Sequence, residues 1–132
     1  MQRLFVDTSA WFAYTNSKDP DHNAVRKVLH TFQGRLVTSN YVIDETISLC
    51  LYRLSHKAAV AVGDVLFNAV EIDSIRITGD DERDSYQLLC QRPDQRYSFT
   101  DCTSFILMRR LALDTALALD DDFRREGFQV VP

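Results

Sequence analysis

The chain has 132 residues, with 15 Lys and Arg, 19 Asp and Glu and a net charge of −4. That length fits one domain, since a single core commonly serves ~100–200 residues, and 45% hydrophobic content fits a globular chain. The acidic balance excludes a protein that simply coats phosphate with positive charge, and no apolar run approaches the ~18–20 residues of a membrane helix. The first residues, MQRLFVDTSAW, lack the apolar stretch of a signal peptide. Cys50, Cys90 and Cys102 are odd in number and widely spaced, which fits free thiols in a reducing cytoplasm better than a disulfide framework or a zinc site.

Leu4-Phe5-Val6, ending at Asp7, predicts a short buried parallel strand. A short helix follows over 9–15. Asp19-Pro20 is a helix-start signal for a segment to about Phe32, with Gly34 as breaker. Residues 35–38 form a second strand. Ser39 or Asn40 caps a helix to about Leu54, whose stripe is Ile43, Ile47, Cys50, Leu51 and Leu54. Ser55 opens another helix through Phe67. Val70, Ile72, Ile75 and Ile77 predict a third strand, with edge character from Glu71, Asp73 and Arg76. A helix over 80–90 precedes Pro93. Ser98-Phe99-Thr100-Asp101 reads as a capping-box start for a helix to about Ala112. A fourth strand over 115–119, a short helix over 121–126 and a last strand at 129–131 complete the chain. Alternating strands and helices predict an α/β sandwich around a mostly parallel sheet. Such sheets bind ligands beyond the carboxyl ends of their strands.

Acids fall at those ends. Asp7 follows the first strand and Asp120 the fourth, although an Asp after a strand is often only a turn former or helix cap. Asp101 shares a helical face with Phe105, Met108 and Ala112, four, seven and eleven residues on, so it points inward. Completing a capping box explains its presence but not that alignment. Glu45, beside Leu49 and Tyr52, lies at the edge of a buried face, while Asp44 points toward solvent. Four unpaired acids at equivalent element ends would repel one another. A hard cation relieves this, and oxygen-only ligands suit Mg²⁺ or Mn²⁺. A pair of such ions activates water and stabilises the leaving oxygen of a phosphodiester.

The segments FVDTSAW (5–11), NYVIDETISL (40–49), YSFTDCTSFILMRRL (97–111) and LALDDDFRREGFQVVP (117–132) resemble the PIN-domain ribonucleases, especially the VapC-type toxins of toxin–antitoxin modules. The resemblance runs over almost the whole chain. It implies a three-layer α/β/α sandwich with a parallel sheet, forming one nuclease domain over 1–132. It also implies endoribonuclease activity dependent on Mg²⁺ or Mn²⁺. It carries over Asp7, Glu45, Asp101 and Asp120 as catalytic and metal-holding acids, with Ser9 and Thr100 as supporting hydroxyls. A cytoplasmic homodimer, an RNA substrate and a small antitoxin partner are further expectations. One departure is Asp122, where relatives often carry a basic or amide residue. The run Asp120-Asp121-Asp122 leaves open which acid faces the metal, and Asp122 is kept as a supporting residue. Arg109, Arg110, Arg124 and Arg125 follow the site acids in sequence and are candidates to flank the RNA.

Two rival phosphoryl-transfer scaffolds fit less well. A haloacid-dehalogenase site needs an acid two places after Asp7, where Ser9 stands, and a receiver domain needs acids and a Lys that the chain lacks at those positions. The remaining alternative is a non-catalytic PIN-like module that binds RNA or protein, against which all four acids are retained.

Overall fold

The computed structural model describes residues 2–132. Five strands, β1 (Arg3–Val6), β2 (Arg35–Ser39), β3 (Ile72–Ile75), β4 (Thr115–Leu117) and β5 (Gln129–Val131), form one sheet in the order β3-β2-β1-β4-β5. Every pairing is parallel. The helices are α1 (Thr8–Thr15), α2 (His22–Thr31), α3 (Asn40–Arg53), α4 (His56–Asn68), α5 (Gly79–Gln91), α6 (Phe99–Arg110) and α7 (Asp122–Arg125). The chain moves outward from β1 through β2 to β3, then returns to the far side of β1 for β4 and β5. Right-handed crossovers therefore place α1–α4 on one face and α5–α7 on the other, giving the expected three layers. No helix among the described residues is long and apolar enough to cross a membrane.

β1 lies at the centre and is hydrophobic on both faces, with Leu4, Phe5 and Val6 all buried. Phe5 meets Phe123 of α7 at 6.0 Å, and Phe123 meets Phe105 of α6 edge-on at 4.9 Å. These rings seat α6 and α7 against the central strand. On the opposite face, Trp11, Ala10 and Ala13 of α1 and Val25 of α2 are buried. Gly34 permits the close approach that starts β2, since a Cβ there would lie 2.2 Å from the Gln2 carbonyl oxygen.

Four expectations about boundaries need correction. The third strand is shorter than Val70–Ile77: Val70 is exposed, and the Ile77 N–H donates to Asn40 Oδ1 (2.7 Å) instead of to a strand. β3 is nonetheless an edge strand, as its charges suggested. The fourth strand stops at Leu117, because the Leu119 N–H is diverted to Ser9 Oγ (3.2 Å). Asp120 thus stands on a turn, three residues beyond β4. Asp19 forms a turn in which its side chain accepts from Asp21 N (2.8 Å), so α2 begins only at His22. The helix after Ser98 also ends earlier than expected. Ala112 is left-handed (φ 54°), and the Leu113 N–H closes the helix on the Met108 carbonyl (2.8 Å).

Candidate active site

The strand order reverses between β1 and β4, and sheets of this kind bind ligands beyond the strands' carboxyl ends at such a switch point. Asp7 stands there as the N-cap of α1. Its Oδ2 accepts from Ser9 Oγ (2.6 Å) and Ser9 N (3.3 Å). The residue is 3% exposed. Burial, with Asp101 and Asp120 nearby, raises its carboxyl to about 7 against the pull of the Ser9 hydrogen bonds.

Asp101 is the third residue of α6 and completes a capping box. Its Oδ2 accepts from Ser98 N (2.9 Å), and its own N–H donates to Ser98 Oγ (3.0 Å). The capping reading holds, and Phe105 and Met108 on the same face are fully buried, but Ala112, the last residue assigned to that face, is exposed beyond the end of α6. Burial raises its carboxyl to about 6, the charges of Glu45 and Asp120 add to this, and the Ser98 contacts oppose it. Glu45 is half-buried on the second turn of α3, and Asp44 is exposed. Their separation matches the expected angular difference.

Asp120 is the member of the acidic run whose charge acts on both Asp7 and Asp101. Its Oδ1 accepts from Asp122 N (3.1 Å). Asp122 is half-buried and its carboxyl is raised, first by burial and then by Asp120, against the pull of Arg125. Asp121 points outward and pairs with Arg124 (3.1 Å). The four proposed acids therefore gather at one end of the sheet from four different elements.

Ser9 does more than cap a helix. Its hydroxyl donates to Asp7 and accepts the Leu119 N–H, joining the ends of β1 and β4. Thr100 was expected to supply a hydroxyl, but its hydrogen bond here is local to α6, its carbonyl accepting from Thr103 Oγ1 (2.6 Å) and touching none of the acids. The α6 arginines are placed otherwise than expected. Arg109 and Arg110 lie eight and nine residues beyond Asp101, roughly 12–14 Å along the helix. Arg109 holds Glu126 (3.0 Å), and Arg110 holds the buried Asp81 (2.8 Å). Arg124 and Arg125 lie nearer the site, paired with the exposed Asp121 and the half-buried Asp122.

Sequence reading missed Glu126, which accepts from Arg92 (3.0 Å), Arg109 (3.0 Å) and Tyr97 (2.9 Å) and ties the end of α7 to α6 and the loop before it. Those partners are 17–34 residues away, and no local pattern marks them. Asp81 carried a signal in Thr78-x-x-Asp81, the capping box of α5.

The donor set fits a hard divalent cation. Its atoms are all carboxylate oxygens, and no Lys, Arg or His among the described residues pairs with Asp7, Glu45, Asp101 or Asp120. As the side chains stand, no group of three or more His, Cys, Asp or Glu among the described residues is gathered closely enough to hold a metal ion by itself. Mg²⁺ does not require three protein ligands, because it keeps several waters and takes one or two carboxylates directly.

Comparison with known proteins bears on family and fold. The model of the PIN domain matches residues 4–129. The 23S rRNA-specific endonuclease VapC20 of Mycobacterium tuberculosis is 35% identical over 125 residues, covering 95% of each chain. Ribonuclease VapC26 of the same organism is 29% identical over 118 residues, 89% of this chain and 86% of that one. The crystal structure of VapC20, described as a Sarcin-Ricin loop cleaving toxin, superposes with a TM-score of 0.92 over 98% of this chain and 99% of that one. FitAcB from Neisseria gonorrhoeae shares the fold at a TM-score of 0.71 and 12% identity, covering 98% of this chain and 96% of that one. The chain belongs to the PIN-domain family, among its VapC-type ribonucleases.

Proposed function

We propose that this protein is a Mg²⁺- or Mn²⁺-dependent endoribonuclease, the toxin of a toxin–antitoxin pair, hydrolysing RNA at the carboxylate site. The observation that carries this reading is the gathering of Asp7, Glu45, Asp101 and Asp120 without a cationic partner among the described residues, with Asp7 and Asp101 pushed up to about 7 and about 6 by burial and mutual charge. Likeness to VapC20, an endonuclease by name, supports RNA as the substrate.

Asp7 and Asp101 are the more buried acids, and Ser9 and Ser98 fix their orientation. They would hold the principal ion. Glu45 and Asp120, on the more open side, would orient the attacking water or share a second ion. A bound divalent ion supplies positive charge at the phosphate and acidifies water. Arg124 pairs with the exposed Asp121, and surface ion pairs are worth only ~0–1 kcal/mol, so it can turn to phosphate at little cost, with Arg125 beside it held by the half-buried Asp122.

Two partners complete the reading. A second copy of the chain and a small antitoxin would both need apolar surface, and Leu51, Val60 and Phe67 on α3 and α4 provide it.

The test is to incubate the purified protein with structured RNAs in Mg²⁺, Mn²⁺ or EDTA. Cleavage with either metal is expected, leaving 5′-phosphate and 3′-hydroxyl ends, and none in EDTA. Asp101→Asn should lose more than the roughly 10–100-fold typical of outer-shell changes. Growth arrest on expression, relieved by Asp7→Asn, tests the toxin role. Cleavage that persists in EDTA or in Asp101→Asn overturns the site.

A further inference from the structure

Two aromatic side chains stand where α3 and α6 begin. Tyr41 is the second residue of α3, one turn before Glu45, and Phe99 is the first residue of α6, two before Asp101. Their rings lie 5.9 Å apart between centroids, tilted by 58°. The α3–α6 seam that sets the charge of Glu45 against Asp101 thus carries an aromatic pair at its opening. Both residues are half-buried and keep surface open to solvent.

Core packing accounts for Phe99 poorly. Phe5, Phe105 and Phe123 are fully buried, and Phe12, Phe32 and Phe128 pack against the core, but Phe99 is outside that cluster. Its aromatic neighbour is Tyr41. Tyr41 is held at its far end, where its hydroxyl donates to Glu82 of α5. The result is a pinned ring beside a partly open one, next to acids suited to phosphodiester chemistry. Every nucleobase has a π-face, and unpaired bases stack on such rings with little regard to sequence.

We propose that Tyr41 and Phe99 form a stacking platform for an unpaired nucleobase beside the scissile phosphate. A base inside a duplex is already stacked on its neighbours and cannot reach the pair. The inference rests on the RNA-hydrolysis reading of the same site.

The experiment compares wild type, Phe99→Leu and Phe99→Trp on a single-stranded RNA and on the same sequence fully paired, in Mn²⁺. Oligonucleotides carrying 2-aminopurine at successive positions report stacking by fluorescence quenching, with Ca²⁺ replacing Mn²⁺ to slow cleavage. Phe99→Leu should raise KM roughly 10-fold with kcat little changed, and should lose the quenching. Phe99→Trp should retain both. If melting shows that Phe99→Leu does not fold, Tyr41→Leu decides in the same assays. A Leu variant with wild-type KM and quenching, or equal cleavage of duplex and single strand, overturns the platform. If wild type quenches 2-aminopurine and Phe99→Leu does not, yet no RNA is cut, the platform stands and the hydrolytic reading fails. Absence of quenching in wild type overturns the platform whether or not RNA is cut.

Discussion

At Ser9 one hydroxyl serves two strand ends. It donates to Asp7 at 2.6 Å and accepts the Leu119 N–H at 3.2 Å, so it sets both the carboxylate of Asp7 and the turn that presents Asp120. Its hydrogen bonds also oppose the rise that burial imposes on Asp7. Ser9→Ala removes both contacts and leaves the Asp7 carboxyl easier to protonate. Divalent-ion affinity at neutral pH, read by calorimetric titration, should fall roughly 10–100-fold, with Ser9→Thr retaining most of it. Unchanged affinity in Ser9→Ala would show that the bridge does not position the acid. The sequence marked Ser9 as a cap or a supporting hydroxyl, and both readings describe its bond to Asp7. Its reach to Leu119 was not legible, because that partner is 110 residues away.

Among the elements, α5 and α6 show what a sequence does and does not announce. Both begin with capping boxes built within four residues, Thr78 with Asp81 and Ser98 with Asp101, and the second was legible as a motif. The bond that joins these helices was not. Arg110 donates to both oxygens of Asp81, 2.9 and 2.8 Å away and 29 residues distant in sequence. Burial pushes the Asp81 carboxyl up, but the bonds from Arg110 and Thr78 outweigh it and hold it below its ordinary value. A carboxyl lowered on folding stabilises the folded state above its unfolded pKa, and that contribution is lost as pH falls through the lowered value. Urea unfolding should therefore show stability dropping as pH falls below about 4. Arg110→Met leaves the buried Asp81 without its cationic partner, held by Thr78 alone. It should cost roughly 1–3 kcal/mol at neutral pH, discounted from a fully buried pair because Arg110 is 40% exposed. No loss in that variant would mean that solvent already screens the pair. The overlong strand expectations have a similar cause. Period and hydrophobicity ran on to Ile77 and Leu119, but their backbone N–H groups were claimed by Asn40 and Ser9, which no local pattern reveals.

For the whole molecule, the charge that first argued against a polyanionic partner acquires a location. Four acids at the switch point equal the entire excess of 19 acidic over 15 basic residues. A bound cation would reverse the field that RNA meets there. The topology was legible as alternating strands and helices, and the switch point follows from the β3-β2-β1-β4-β5 order that the sequence did not disclose. The same cluster couples stability to pH with the opposite sign from Asp81. Asp7 and Asp101 are raised on folding, so between the ordinary carboxylate range and about 7 the folded chain binds more protons than the unfolded one. By itself this term lowers stability as pH rises through that window. A divalent ion binds the deprotonated acids and counters the loss. The most direct measurement is a calorimetric titration of Mn²⁺ into wild type and Asp7→Asn at pH 5.5 and pH 8, with melting temperatures recorded alongside. Wild type should bind Mn²⁺ far more tightly at pH 8 than at pH 5.5, with a matching rise in melting temperature, and Asp7→Asn should lose most of that binding. Equal binding by wild type and Asp7→Asn, or no binding at pH 8, would contradict the carboxylate site as the seat of the chemistry.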